Sequence, residues 1–192
     1  MKKIIAVTLL FTIQQMISQE EHQSRWTTSA HVDLLYNKSN NYRYYDDMDK
    51  LRHTNIKKTG AIALSYDLDY RFFKRLSVSV STGYNVFITP GMSTLKFGGG
   101  FKYKTNVDNK GYFTIQYAYH QPFNKKKFRE GHEIKIAQYF DAYETNGHHI
   151  LVGLLYNYDF FYLEGATKLP NNATRAFSLD YVHYGLSLAM VF

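Results

Sequence analysis

Hydrophobic and polar residues alternate along most of this chain. Leu76, Val78, Val80, Thr82, Tyr84 and Val86 are interleaved with Ser77, Ser79, Ser81, Gly83 and Asn85. Ile62 to Phe72, Phe113 to Tyr119 and Val182 to Phe192 repeat the pattern. A period of two sustained this long marks strands with one apolar face. No window carries a comparable helical stripe. The alternation predicts eight strands, at about 25–36, 59–72, 76–87, 94–104, 111–120, 130–141, 148–158 and 176–192. Two are less regular: Gln138 sits on the apolar face of the sixth, and Thr28 interrupts that of the first.

The connections alternate in length. Those at 37–58, 121–129 and 159–175 are long, and the others are shorter. Pro90, Pro122 and Pro170 all fall in odd-numbered connections, outside the predicted strands, because a proline has no N–H for the ladder. With an even strand number, the odd connections share one end of a closed sheet.

Composition narrows the environment. The chain has 192 residues, no cysteine, and 33 aromatic residues as 1 Trp, 18 Tyr and 14 Phe. That is too aromatic for a disordered chain. The missing cysteines exclude a disulfide scaffold, a thiol enzyme and a cysteine-ligated zinc protein. Met1, Lys2 and Lys3 precede a ten-residue apolar run, Ile4 to Ile13, and a polar stretch with Ser18. This reads as a secretory signal peptide over 1–18, too short to span a membrane, with one domain over 19–192. Met16 fits the third position before the cut poorly. Export without cysteine points to a bacterial envelope.

The second face of the strands collects Asp33, Asp67, Asp69, Arg71, Lys96, Lys102, Glu133 and Lys135. In a soluble barrel this face would meet water. In a membrane barrel it would fill the lumen, the apolar face would meet lipid, and tyrosines near strand ends would form interfacial girdles. Strands of about 9–11 tilted residues suffice to cross the bilayer core.

The signal peptide, the amphipathic strands, the alternating loop lengths and the closing stretch YGLSLAMVF resemble small Gram-negative outer-membrane β-barrels of the OmpX and OmpA-barrel architecture. The resemblance covers residues 25–192 and is one of architecture. It implies an all-β fold: an eight-stranded antiparallel transmembrane barrel with up-and-down meander topology, located in the cell outer membrane. It also implies that Tyr184, Leu188, Met190 and Phe192 form the signal read by the barrel-assembly machinery.

Candidate chemistry is sparse. The eight lumen charges are expected to form a plug of ion pairs, since a barrel of this size is filled by side chains. Gly98–Gly99–Gly100 lies inside a strand and lacks the helix and lysine of a phosphate loop. It would serve a sharp bend or the approach of a large residue such as Tyr139. His120 and His132 flank the fifth connection without a nearby serine, and His183 reaches Ser187 at best. The adjacent His148 and His149 point to opposite faces of a strand. No catalytic constellation, metal site or cofactor is therefore expected.

Charge on the loops is the better clue. Residues 37–58 balance to +3, and so do residues 121–131. Lys57, Lys58, Lys125, Lys126, Lys127 and Arg129 are candidate anion-binding residues, suited to lipopolysaccharide phosphates or to a surface partner. Export argues against nucleic acid. The expected function is a filled, non-enzymatic outer-membrane barrel with a structural or surface-interaction role. The alternatives are an outer-membrane lipid-modifying hydrolase and a soluble exported barrel binding an apolar ligand.

Overall fold

The computed structural model describes residues 25–55, 60–89, 91–105, 111–123, 128–145, 147–163 and 173–192, with only the backbone for 173–176. The signal-peptide reading at 1–18 lies outside the described residues, as do Pro90, Pro170 and parts of the long connections.

Among the described residues nine strands follow one another: β1 (Trp26–Asp46), β2 (Leu51–Thr54), β3 (Gly60–Arg71), β4 (Leu76–Phe87), β5 (Met92–Lys104), β6 (Tyr112–Pro122), β7 (Phe128–Thr145), β8 (His148–Leu163) and β9 (Ala173–Val191). Each pairs antiparallel with its neighbour, in the order β2-β1-β3 through β9, and β1 also pairs with β9. Leaving out the short β2, eight strands form a closed ring. At the seam, Ala30 faces Met190, Val32 faces Leu188 and Leu34 faces Leu186.

The ring separates two faces. Asp33, Asp67, Lys96 and Lys135 point inward and are almost fully buried. Val80, Phe101 and Leu154 point outward, at 65 %, 59 % and 59 % exposure. The outward apolar residues recur on every strand of the ring and cover far more than the few hundred Å² that a soluble monomer exposes. They form a lipid-facing wall, the reverse of a soluble barrel. Tyrosines divide between the faces. Tyr66, Tyr84, Tyr103, Tyr117 and Tyr184 are exposed, whereas Tyr42, Tyr44, Tyr112, Tyr139 and Tyr181 are buried inside.

The first long connection is different from its sequence reading. β1 does not end at residue 36 but runs to Asp46 and folds back as β2. A bulge at Lys38 explains the discrepancy. Asn37 pairs with His183 and Ser39 with Val182, so Lys38 is an extra residue. Before it, odd-numbered residues point inward (Asp33, Leu35, Asn37); after it, even-numbered ones do (Asn40, Tyr42, Tyr44, Asp46). The period of two breaks in the sequence while the strand continues. Strands β7 and β8 likewise extend past the predicted ends, to Thr145 and Leu163. Pro122 closes β6 as its last residue, opposite Thr94, although it was expected in a loop.

The β1–β2 hairpin turns on Asp46. Its Oδ1 accepts from the amides of Met48 (3.0 Å) and Lys50 (2.9 Å), and its Oδ2 from Arg52 Nε (2.8 Å). Asp49 adopts a positive φ of 55° at the tip. The Arg52 hydrogen bond, then the Lys50 and Met48 amides, hold the Asp46 carboxyl below its ordinary value. A depressed folded value means that this stabilisation is present above the ordinary carboxylate range and lost as pH falls through the lowered value. Cross-strand NMR contacts between Tyr44 and Arg52 should therefore persist at neutral pH and fade on strong acidification. Asp46→Asn should weaken them at neutral pH and leave the ring intact.

The wall makes a second prediction. Leu64 lies near the middle of β3 and faces outward at 49 % exposure. Leu64→Arg should cost about 2–4 kcal/mol of stability in lipid vesicles, whereas Leu51→Arg in β2 should cost roughly 0–1 kcal/mol. Denaturant unfolding of the reconstituted protein checks both values.

Candidate functional site: the charged interior

Inward charges of four strands converge at the centre of the barrel. Lys135 on β7 meets Asp33 on β1 at 2.6 Å. Lys102 on β5 sits between Asp67 and Asp69 of β3, at 2.8 and 2.9 Å. Lys96 on β5 meets Glu133 on β7 at 2.9 Å. The structure thus brings together seven of the eight residues singled out as lumen charges. The eighth, Arg71, lies partly exposed at the end of β3.

Neutral polar residues add to the pairs, while Asp67 Oδ1 and Asp69 Oδ1 accept no hydrogen bond. Ser187 donates to Asp33 Oδ1, and Tyr139 donates to Ser187 at 3.1 Å. Gln116 donates to Asp67 at 2.8 Å, and Lys102 also donates to Ser29 at 3.1 Å. Such extra hydrogen bonds matter because desolvation of a buried ion pair can outweigh its attraction unless the remaining donors and acceptors are met.

Aromatic groups bound this charged layer on both sides. Toward the end bearing the β1–β2 hairpin, Phe87 packs on Phe161 and Tyr181, with centroids 5.2 and 5.6 Å apart, and Phe161 packs on Phe128. Tyr181 donates to the Thr89 carbonyl at 2.9 Å. Toward the other end, Tyr112 packs on Tyr139 at 4.7 Å, and the Lys102 ammonium lies over Tyr112. Glycines make room for these rings. A Cβ on Gly153 would meet the Tyr139 ring, and one on Gly131 would run into Phe161. Tyr139 therefore approaches Gly153 and not the glycine triplet. At Gly98, Gly99 and Gly100 the crowding comes from the backbones of Tyr117, Ser79 and Ile115 on the flanking strands, so the missing side chains permit their close approach.

Several interior residues escaped the sequence reading. His120, expected beside a loop, is fully buried, with Nδ1 2.8 Å from Thr94 Oγ1. His183 lies 3.0 Å from Asp159 and not beside Ser187. Asp159 is one residue past the predicted end of its strand, so its inward register was not read. His120 continues the inward series Thr114, Gln116 and Ala118, and that parity could have placed it.

The interior also holds one serine–histidine–aspartate contact. Ser29 Oγ lies 2.9 Å from His31 Nε2, and Asp67 lies 3.4 Å from that same nitrogen. A catalytic triad uses opposite ring nitrogens for the nucleophile and the carboxylate. Here Nδ1 is taken by the Tyr139 hydroxyl at 3.1 Å. The three residues are buried within the charged layer and form part of its packing.

The other candidates lie at the surface. Tyr184, Leu188, Met190 and Phe192 line the outward face of β9 and its end, at 40–54 % exposure. The Phe192 amide donates to the Thr28 carbonyl at 2.9 Å. Among the anion-binding candidates, Arg129 is exposed on β7, and Lys57, Lys58, Lys125, Lys126 and Lys127 lie outside the described residues. Three other bases of the first connection are engaged. Arg43 pairs with Asp180, Arg52 with Asp46, and Lys38 donates to the Tyr184 hydroxyl.

Closed antiparallel topology, a lipid-facing wall and a packed polar interior define an eight-stranded transmembrane β-barrel of the outer-membrane class. A solved structure of that class shares the fold, and others resemble it more loosely. The outer membrane protein OprG of Pseudomonas aeruginosa is 10 % identical, with a TM-score of 0.52, over 87 % of this chain and 95 % of that one. Neisserial surface protein A is 9 % identical, with a TM-score of 0.45, over 86 % and 96 %. The outer membrane protein AlkL is 13 % identical, with a TM-score of 0.47, over 91 % and 93 %. No protein-family model matches the chain, and no curated protein does.

The ion pairs can be tested directly. Lys135→Met leaves the Asp33 carboxylate buried without its cation and should cost about 3–5 kcal/mol. The double variant Lys135→Met with Asp33→Leu should recover most of that loss. Denaturant titration of the folded barrel in detergent distinguishes the two.

Proposed function

We propose that this protein is a non-enzymatic outer-membrane barrel whose interior is closed to solute flow and whose loop-bearing end binds anionic partners at the cell surface. The observation that carries the first half is the interior layering. Three lysine-centred ion-pair groups lie between two aromatic groups, and an eight-stranded ring leaves only enough width for side chains. Planar-bilayer recording of the purified protein should show no steady conductance. A stable, large open level would defeat the closed-lumen reading.

The second half rests on charge. The strands run so that the β1–β2 hairpin and the odd connections share one end, away from Trp26 and Val191. In this reading that end is extracellular, and Lys57, Lys58, Lys125, Lys126, Lys127 and Arg129 are the bases that meet an anionic partner. The phosphates of lipopolysaccharide are the nearest partner of matching chemistry. Exchange of Lys125, Lys126 and Lys127 for Glu should lower retention of lipopolysaccharide by the folded barrel at low ionic strength and flatten its salt dependence. Unchanged retention would leave a protein partner as the ligand of this rim. The outward row Tyr184, Leu188, Met190 and Phe192 fits a role in assembly, since these residues occupy the strand that closes the seam with β1.

A further inference from the structure

The strongest unabsorbed feature is a trio in the same interior. Nε2 of His120 lies 3.5 Å from Oε2 of Glu133 and 3.6 Å from Oδ1 of Asp159, and the three atoms are all within 4.8 Å of one another. The residues come from β6, β7 and β8 and are essentially inaccessible. His120 Nε2 and Asp159 Oδ1 have no hydrogen-bond partner. Two orphaned polar atoms in a fully buried layer face each other across a gap too long for a hydrogen bond.

We propose that this gap binds a divalent transition-metal cation with imidazole and carboxylate preference, of which zinc is the representative. The spacing fits. Tetrahedral ligands about 2.0–2.1 Å from zinc stand roughly 3.3–3.4 Å apart. The supporting groups also fit. If Nδ1–H of His120 donates to Thr94, the lone pair of Nε2 points at the two carboxylates, an arrangement that needs a cation between them. Asp159 is oriented through its other oxygen by His183 at 3.0 Å. Glu133 is oriented by Lys96 through Oε1 at 2.9 Å, while Lys96, Asn85 and Asn157 each reach Oε2 at a longer 3.3 Å.

Charge points the same way. Seven carboxylates are buried among the described residues; Asp46 and Asp180 pair with Arg52 and Arg43, and the other five (Asp33, Asp67, Asp69, Glu133 and Asp159) share the interior with three buried ammonium groups (Lys96, Lys102 and Lys135). One divalent cation makes up the difference. The competing solution is protonation of two interior histidines, and the experiment separates the two.

The barrel is refolded in detergent with zinc or with a chelator, dialysed against metal-free buffer, and its zinc is counted per folded chain. His149, near Asp141 and Glu144 at the opposite end, offers surface donors, so every sample carries His149→Asn. About one retained zinc per folded barrel is expected, with a tetrahedral visible spectrum after refolding with cobalt. His120→Asn and Asp159→Asn should each weaken retention by more than the roughly 10–100-fold that loss of a supporting partner gives. The proposal is overturned if the parent barrel, folded by gel mobility, retains no zinc, or if His120→Asn retains as much. Nitrogen NMR showing a doubly protonated His120 in the zinc-refolded barrel overturns it too. If the variants do not fold, the parent measurement alone decides. Conductance is a separate readout, so failure here leaves the closed-lumen reading standing.

Discussion

Every feature of this molecule depends on the seam between β1 and β9. In a bilayer core an unpaired N–H or C=O finds no water, and each one left open costs several kcal/mol. A sheet in lipid must therefore close on itself. Residues Ser29–Asp46 of β1 and Val191–Ala173 of β9 make that closure, with three register shifts along it. Once it is made, each residue is committed to one of two environments. Outward positions need apolar or interfacial side chains, and inward positions must fill a narrow cylinder.

The narrow cylinder explains why the interior combines charge with aromatic bulk. Eight strands leave no room for bulk water, so lysines and carboxylates there must satisfy one another. Such pairs contribute little net stability compared with apolar packing, but removing one partner is costly. They thus favour the one register in which Lys135 reaches Asp33, Lys102 reaches Asp67 and Asp69, and Lys96 reaches Glu133. The large rings are placed by the same volume limit. Tyr139 lies where Gly153 has no side chain, and Phe161 lies where Gly131 has none. Glycine in a strand normally weakens it; here the missing side chain is what admits the neighbouring ring.

Much of this was legible in the alternation, because facing is a local property of a strand. The ring strands from β3 to β6 fall within two residues of their predicted limits, and the inward charges were read from parity alone. Parity failed where the strand was irregular. The single extra residue Lys38 exchanges odd for even positions, which turned the inward Tyr42 and Tyr44 into apparent loop residues. His120 and Asp159 lay at or past the edges of predicted strands, so the trio with Glu133 was invisible. Pairing partners were not legible either. Asp33 and Lys135 are 102 residues apart in sequence, and only the register of the intervening strands brings them together.

The same distinction applies to the surface, where sequence charge is a poor measure of available charge. Residues 37–58 read as a basic loop, yet Arg43 and Arg52 are spent on Asp180 and Asp46, and Lys38 is held at Tyr184. These contacts stiffen the extension of β1 that rises above the ring. A rigid extension presents its remaining groups in fixed positions, so ordering a ligand there costs less entropy than it would on a free loop. Its recognition would then depend on geometry as well as charge. Recognition by charge alone, the role proposed for the bases at 125–127, should fall with salt more steeply than recognition by the extension.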